Sequence, residues 1–101
     1  MPSPEQVEAL LADEPDDVFL NYALGKAYVE AGRIECGLAQ FRRTLELDPD
    51  HVAGYFQMAQ VLASTGDDEA ARETVTRGIA VAKKVGDAHA EMEMTGFLDA
   101  L

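Results

Sequence analysis

The chain has 101 residues, enough for one compact domain or a few short repeats. Apolar residues make up 48% of it, enough for a packed core, and 19 acidic against 8 basic residues give a formal charge of −11. That sign repels phosphate backbones and anionic lipid headgroups, so neither nucleic acid nor a membrane surface is an expected partner. The acids are spread along the chain, and the only lysines are Lys26, Lys83 and Lys84. Such a balance suits a high-salt cytoplasm, where screening removes the mutual repulsion. Cys36 is the single cysteine, so no internal disulfide can form. The start, MPSPEQVEAL, lacks the basic and apolar regions of a signal peptide. No stretch approaches the roughly 18–20 apolar residues that span a bilayer. A cytoplasmic location is expected.

Taken in order, residues 4–13 place Val7, Leu10 and Leu11 on one side of a short helix. Pro15 ends it, and Asp16 and Asp17 offer caps for the next. From about residue 17 to 31, Leu20, Leu24, Ala27, Tyr28 and Ala31 follow the spacing of a buried helical face, closed by Gly32. A third helix, about 35–47, buries Leu38, Phe41 and Leu45. The DPD triplet stops it and caps a fourth, about 51–65, which Gly66 ends. Asp67 caps a fifth helix with acids in its first turn, and Gly86 and Asp87 break it. The last helix aligns Ala90, Met94, Phe97, Leu98 and Leu101. No segment alternates with period two, so the expected class is all-α.

The punctuation repeats. Pro15 and Pro49, Asp16 and Asp50, Val18 and Val52, Gly32 and Gly66, and Arg43 and Arg77 all match at an offset of 34 residues. A fixed period of helix, glycine turn, helix, proline turn is the signature of a helical-hairpin solenoid.

On these residues the chain resembles the tetratricopeptide repeat family. The family pattern W-x2-L-G-x2-Y, A-x3-F, P is carried first by Asn21-x2-Leu24-Gly25-x2-Tyr28, Gly37-x3-Phe41 and Pro49. Tyr55-x2-Met58-Ala59-x2-Leu62 and Ala71-x3-Val75 carry it again, with Lys83 in the place of the proline. Asn21, Gly37, Ala59, Val75 and Lys83 depart from it; Gly37 costs about 1 kcal/mol against alanine inside a helix unless it serves a close helix approach. The resemblance implies a short right-handed α-α superhelix in one domain. Its expected parts are a half-repeat helix at 4–15, repeats at 18–51 and 52–85, and a capping helix at 87–101.

Chemistry-bearing residues are sparse. Asp48, Asp50 and His51 flank Pro49, but acids recur at the matched upstream turn, where Asp caps helices. His89 and Glu93 are helical neighbours without a third ligand, and Cys36 has no histidine placed by motif to serve it. There is no nucleophile elbow, glycine-rich phosphate loop or C-x-x-C. No catalysis, metal or cofactor is expected.

The informative feature is a second stripe on the helix of residues 17–31. Phe19, Tyr22, Lys26 and Val29 lie nearly opposite Leu20, Leu24 and Tyr28, and need cover of their own. In the resembled family the first helix of each hairpin lines a concave groove, and these residues match its groove-facing positions. The resemblance implies a non-catalytic module with an apolar-aromatic groove of Phe19, Tyr22, Val29 and Phe56, and polar contacts from Lys26, Glu30, Gln57 and Gln60. A peptide or helical segment of a protein partner would fill it. Ala23 and Gln57 stand where a family clamp for acidic tails carries asparagine, which with the net charge argues against such a tail. Two other readings of the stripe remain: core covered by a neighbouring helix, and self-association into a homo-oligomer or a longer scaffold. If the acidic balance is a high-salt adaptation, circular dichroism shows the helical signal falling on dilution into low salt; full stability there excludes it.

Overall fold

Each hairpin reverses where a glycine takes a backbone conformation that other residues avoid. The computed structural model describes residues 1–101 and contains six helices and no strand. They are α1 (Pro4–Asp13), α2 (Val18–Glu30), α3 (Ile34–Leu47), α4 (Val52–Ser64), α5 (Asp68–Val85) and α6 (Ala88–Asp99). Gly32 (φ 80°) and Gly66 (φ 86°) sit just past α2 and α4 in the left-handed region. There the N–H of Arg33 donates to Tyr28 O at 2.8 Å and that of Asp67 to Leu62 O at 2.9 Å. Both are the six-to-one bonds of a Schellman turn, so α2–α3 and α4–α5 are tight antiparallel hairpins.

Prolines set the other ends. Glu14 and Asp48, the residues before Pro15 and Pro49, are driven out of helical conformation and terminate α1 and α3. Lys83 stands where the second proline would be, and α5 runs on to Val85. The extra turn carries Lys84 to Asp50, with its ammonium 3.1 Å from both carboxylate oxygens. Asp17, Asp67 and Asp87 cap α2, α5 and α6 with their side chains. At α4 the cap is His51, whose Nδ1 accepts from the Gly54 N–H at 2.9 Å, and Asp50 is the acid that meets Lys84.

The helices group as residues 1–49 and residues 50–101. In the first group α2 packs on both α1 and α3; in the second α5 packs on both α4 and α6. Val7, Leu24 and Ala27 form the α1–α2 core, with Leu11, Ala23 and Tyr28 against it. Phe41 of α3 is fully buried. In the second group Ala59, Val75, Ala82 and Met94 form the core, joined by Phe56, Ile79, Phe97 and Leu98.

Gly37 serves a close helix approach. A Cβ there would lie 2.6 Å from Val29 Cγ2 and 3.1 Å from the carbonyl of Gly25. Asn21, in the position where the family pattern has tryptophan, is a buried polar hub. Its amide donates to the carbonyls of Pro15 (3.1 Å) and Asp17 (2.8 Å), and its oxygen accepts from Gln40 of α3. The turn before α2 is thereby tied to α3, and no buried side-chain nitrogen or oxygen lacks a partner.

Gly78 of α5 is pinned from two sides, since a Cβ there would lie 2.7 Å from Tyr55 Cβ and 2.8 Å from Met94 Sδ. Gly78→Ala is expected to lower stability by about 1 kcal/mol, because overpacking of about 1–3 kcal/mol outweighs alanine's better helix propensity. Gly96 has nothing within 4 Å of its missing Cβ, and Gly96→Ala is expected to raise stability by roughly 0.5–1 kcal/mol. Urea midpoints of the two variants should move in opposite directions.

Candidate functional site

Three sides of α2 have different uses. One carries Leu24, Ala27, Ala23 and Tyr28 against α1. A second meets α3: the Tyr22 ring lies 6.0 Å from that of Phe41, Gly25 lies beneath the Phe41 ring, and Val29 rests on Gly37. The third keeps Phe19, 73% exposed, with half-buried Lys26 and exposed Glu30.

Phe19, Tyr22, Ala23 and Lys26 line an open hollow of about 130 Å³ together with Met1 and Pro2. The Lys26 ammonium stands 5.5 Å from the centre of the Tyr22 ring, a cation–π contact that holds it at the rim. Met1 and Pro2 were not among the residues expected from sequence. Their placement has a local cause: Ser3 Oγ accepts from the Gln6 N–H at 3.3 Å, while the Ser3 N–H donates to Gln6 Oε1 at 2.9 Å. This capping box, with Pro4 at the first helical position, fixes the direction in which the N-terminal dipeptide leaves α1. The Ser-Pro-Glu-Gln string was the available signal.

The matched face of α4 is differently placed. Phe56 packs edge-on against Phe97 of α6, with centroids 5.7 Å apart at 75°, and joins the second core. Gln57 is half-buried and Gln60 exposed. Of the expected residues, Phe19, Tyr22 and Lys26 thus meet at one hollow, Val29 faces α3, Glu30 is exposed at the end of α2, and Phe56 lies under α6.

Other polar groups are engaged structurally. His89 Nε2 and Glu93 Oε1 pair at 3.1 Å on α6, and nowhere do three His, Cys, Asp or Glu side chains gather as a metal site. The Tyr28 phenol is pushed above its ordinary range, first by burial and then by the nearby Glu8 charge, so it stays neutral. Arg33 covers its ring at 4.5 Å. No helix is long and apolar enough to cross a membrane.

Antiparallel hairpins closed by glycine turns, with a further helix packed on each, define an all-α helical-repeat protein. A tetratricopeptide repeat-containing protein of Pseudomonas aeruginosa is 37% identical over 94 residues, covering 93% of this chain and 90% of that protein. The chain therefore belongs to the tetratricopeptide repeat family, although no family sequence model matches it. A solution structure of a Bordetella parapertussis protein superposes with a TM-score of 0.85 at 30% identity, over 99% of this chain and 87% of that one. A crystal structure of a tetratricopeptide repeat domain protein from Salinibacter ruber gives 0.74 at 27% identity, over 81% and 91%. Proteins of this fold generally mediate protein–protein interaction and are generally non-catalytic scaffolds.

The different settings of the two phenylalanines can be measured. Phe19→Ala is expected to cost less than about 0.5 kcal/mol, as for an ordinary surface change. Phe56→Ala is expected to cost about 2–3 kcal/mol, below the full core range because the ring is only half-buried. Chemical unfolding of both variants checks the difference; equal costs would contradict it.

Proposed function

We propose that the chain is a non-catalytic interaction module that receives a segment of a protein partner on the α2 face. The observation that carries this reading is Phe19, a large aromatic ring left 73% exposed beside an apolar hollow. Scattered exposed apolar residues are ordinary, but here the ring forms one wall of a concavity with Tyr22, Ala23 and Lys26. Tyr22 is held by Phe41 and Lys26 by Tyr22, so two walls are pre-organised and little ordering is lost on binding. The volume suits one side chain; pockets for cofactors or drug-sized ligands run to about 300–1,000 Å³.

Self-association is the second reading, favoured by Leu10 on α1 (59% exposed) and Met92 on α6 (67% exposed). Covering Phe19 contributes about 1.5–3 kcal/mol, so Phe19→Ala should weaken partner binding by roughly 10- to 150-fold. Affinity capture from cells of the source, comparing this variant with the unaltered chain, is expected to show a protein partner that the variant loses. Light scattering over a range of concentrations should give the monomer mass. A mass that rises with concentration and returns to the monomer in Phe19→Ala would make a second copy of the chain the occupant.

A further inference from the structure

Both α1 and α6 show a face that their counterparts elsewhere in the chain keep covered. Leu10 of α1 stands one 34-residue period before Thr44 of α3 and two before Gly78 of α5. Thr44 and Gly78 are buried, Gly78 against Tyr55 of α4, the first helix of its hairpin. Leu10 is 59% exposed. The apolar spacing of α2 recurs in α6, where Ala90, Met94 and Leu98 fall 70 residues after Leu20, Leu24 and Tyr28. That register sets Glu91, Met92 and Thr95 where α2 has Asn21, Tyr22 and Gly25, the residues that meet Gln40 and Phe41 of α3. Met92 is 67% exposed, and Thr95 is exposed as well. Single exposed apolar residues are ordinary, but these two lie where the repeat elsewhere packs one helix of a hairpin on the other. The exposed face of α1 is thus that of a hairpin's second helix, and the exposed face of α6 that of a first helix.

We propose that α6 of one copy of the chain takes α1 of a second copy on this face, the two helices packing as α2 packs on α3. This rests on the self-association reading and gives it its surfaces, apart from the hollow at Phe19. Leu10 and Met92 lose their exposed apolar surface in that contact. A polar contact is matched too. Gln6 stands one period before Gln40, whose amide donates to Asn21, and Glu91 offers a carboxylate where Asn21 has its oxygen. The Gln6 oxygen already accepts from the Ser3 N–H, which leaves its amide nitrogen as the donor. Each copy uses two different faces, so the contact is heterologous and adds copies beyond two. Copies of net charge −11 repel one another at about 0.1 M salt, where the screening length is about 10 Å. Near 1 M it shortens to about 3 Å, and the apolar contact is left to act.

Analytical ultracentrifugation of the full chain tests this. The average mass is expected to stay at the monomer at about 0.1 M salt, and at about 1 M to rise with concentration past the dimer. Leu10→Glu spoils the α1 face and Met92→Glu the α6 face, so each variant alone should associate roughly tenfold or more weakly. An equimolar mixture of the two retains one intact face from each and is expected to stop at the dimer. Phe19→Ala should assemble as the unaltered chain does. A monomer at every concentration and salt overturns the proposal, and the self-association reading with it. Assembly that Phe19→Ala abolishes overturns the α1–α6 contact while self-association stands. So does assembly that either glutamate variant leaves intact, with circular dichroism showing that variant folded.

Discussion

Close approach of helix backbones at small residues is the constraint on which the rest depends. Gly25 leaves room for the ring of Phe41, and Gly37 lets α3 settle onto Val29 and the Gly25 carbonyl. In the second group Gly78 admits Tyr55 and Met94 to the surface of α5. Packing at such distances places side chains within van der Waals reach along the contact, where dispersion contributes most. It also decides which sides of a helix are used. With α3 seated on the Gly25–Val29 side and α1 on the Leu24–Ala27 side, the remaining side of α2 keeps Phe19 and Lys26.

Charge contributes little to holding these helices together. The turn acids Asp16 and Asp50 recur at the 34-residue period, yet their partners, Arg43 and Lys84, are not at matching positions. Arg77 aligns with Arg43, but the extra turn of α5 brings Lys84 to the acid instead. Each pair is largely exposed and contributes at most about 1 kcal/mol. The buried Asn21 network is of greater consequence, because leaving such an amide without partners costs about 1–3 kcal/mol. It anchors the turn before α2 at the point where a large aromatic residue would otherwise fill space.

Much of the fold was legible because the punctuation is local chemistry. Proline forces the residue before it out of the helix, glycine admits the left-handed turn, and aspartate caps the next helix; each acts within a few residues. Helix limits inferred from these signals therefore lie within about two residues of those observed. Less legible was anything set by a neighbour. Helical spacing places Phe19, Tyr22, Lys26 and Val29 on one stripe, but a neighbouring helix covers an arc wide enough to take the edges of that stripe. So α3 takes Tyr22 and Val29, and α6 takes the ring of Phe56. His51 as the cap of α4 was obscured because Asp50, beside it, is the commoner capping residue.

Phe19 and Phe56 differ in how much apolar surface each has left to bury. A ring already buried against its own chain has little surface left to remove from water, so Phe56 contributes its apolar area mainly to folding. Phe19 retains most of its surface in water. Tyr22 lies between these cases: Phe41 fixes its ring while the other edge still lines the hollow, a rigid surface that costs no rotamer entropy to present. Lys26 directs its charge onto that ring, so the hollow has a cationic rim without a freely extended cation. On the proposed reading, recognition at this face depends chiefly on shape and apolar area at Phe19.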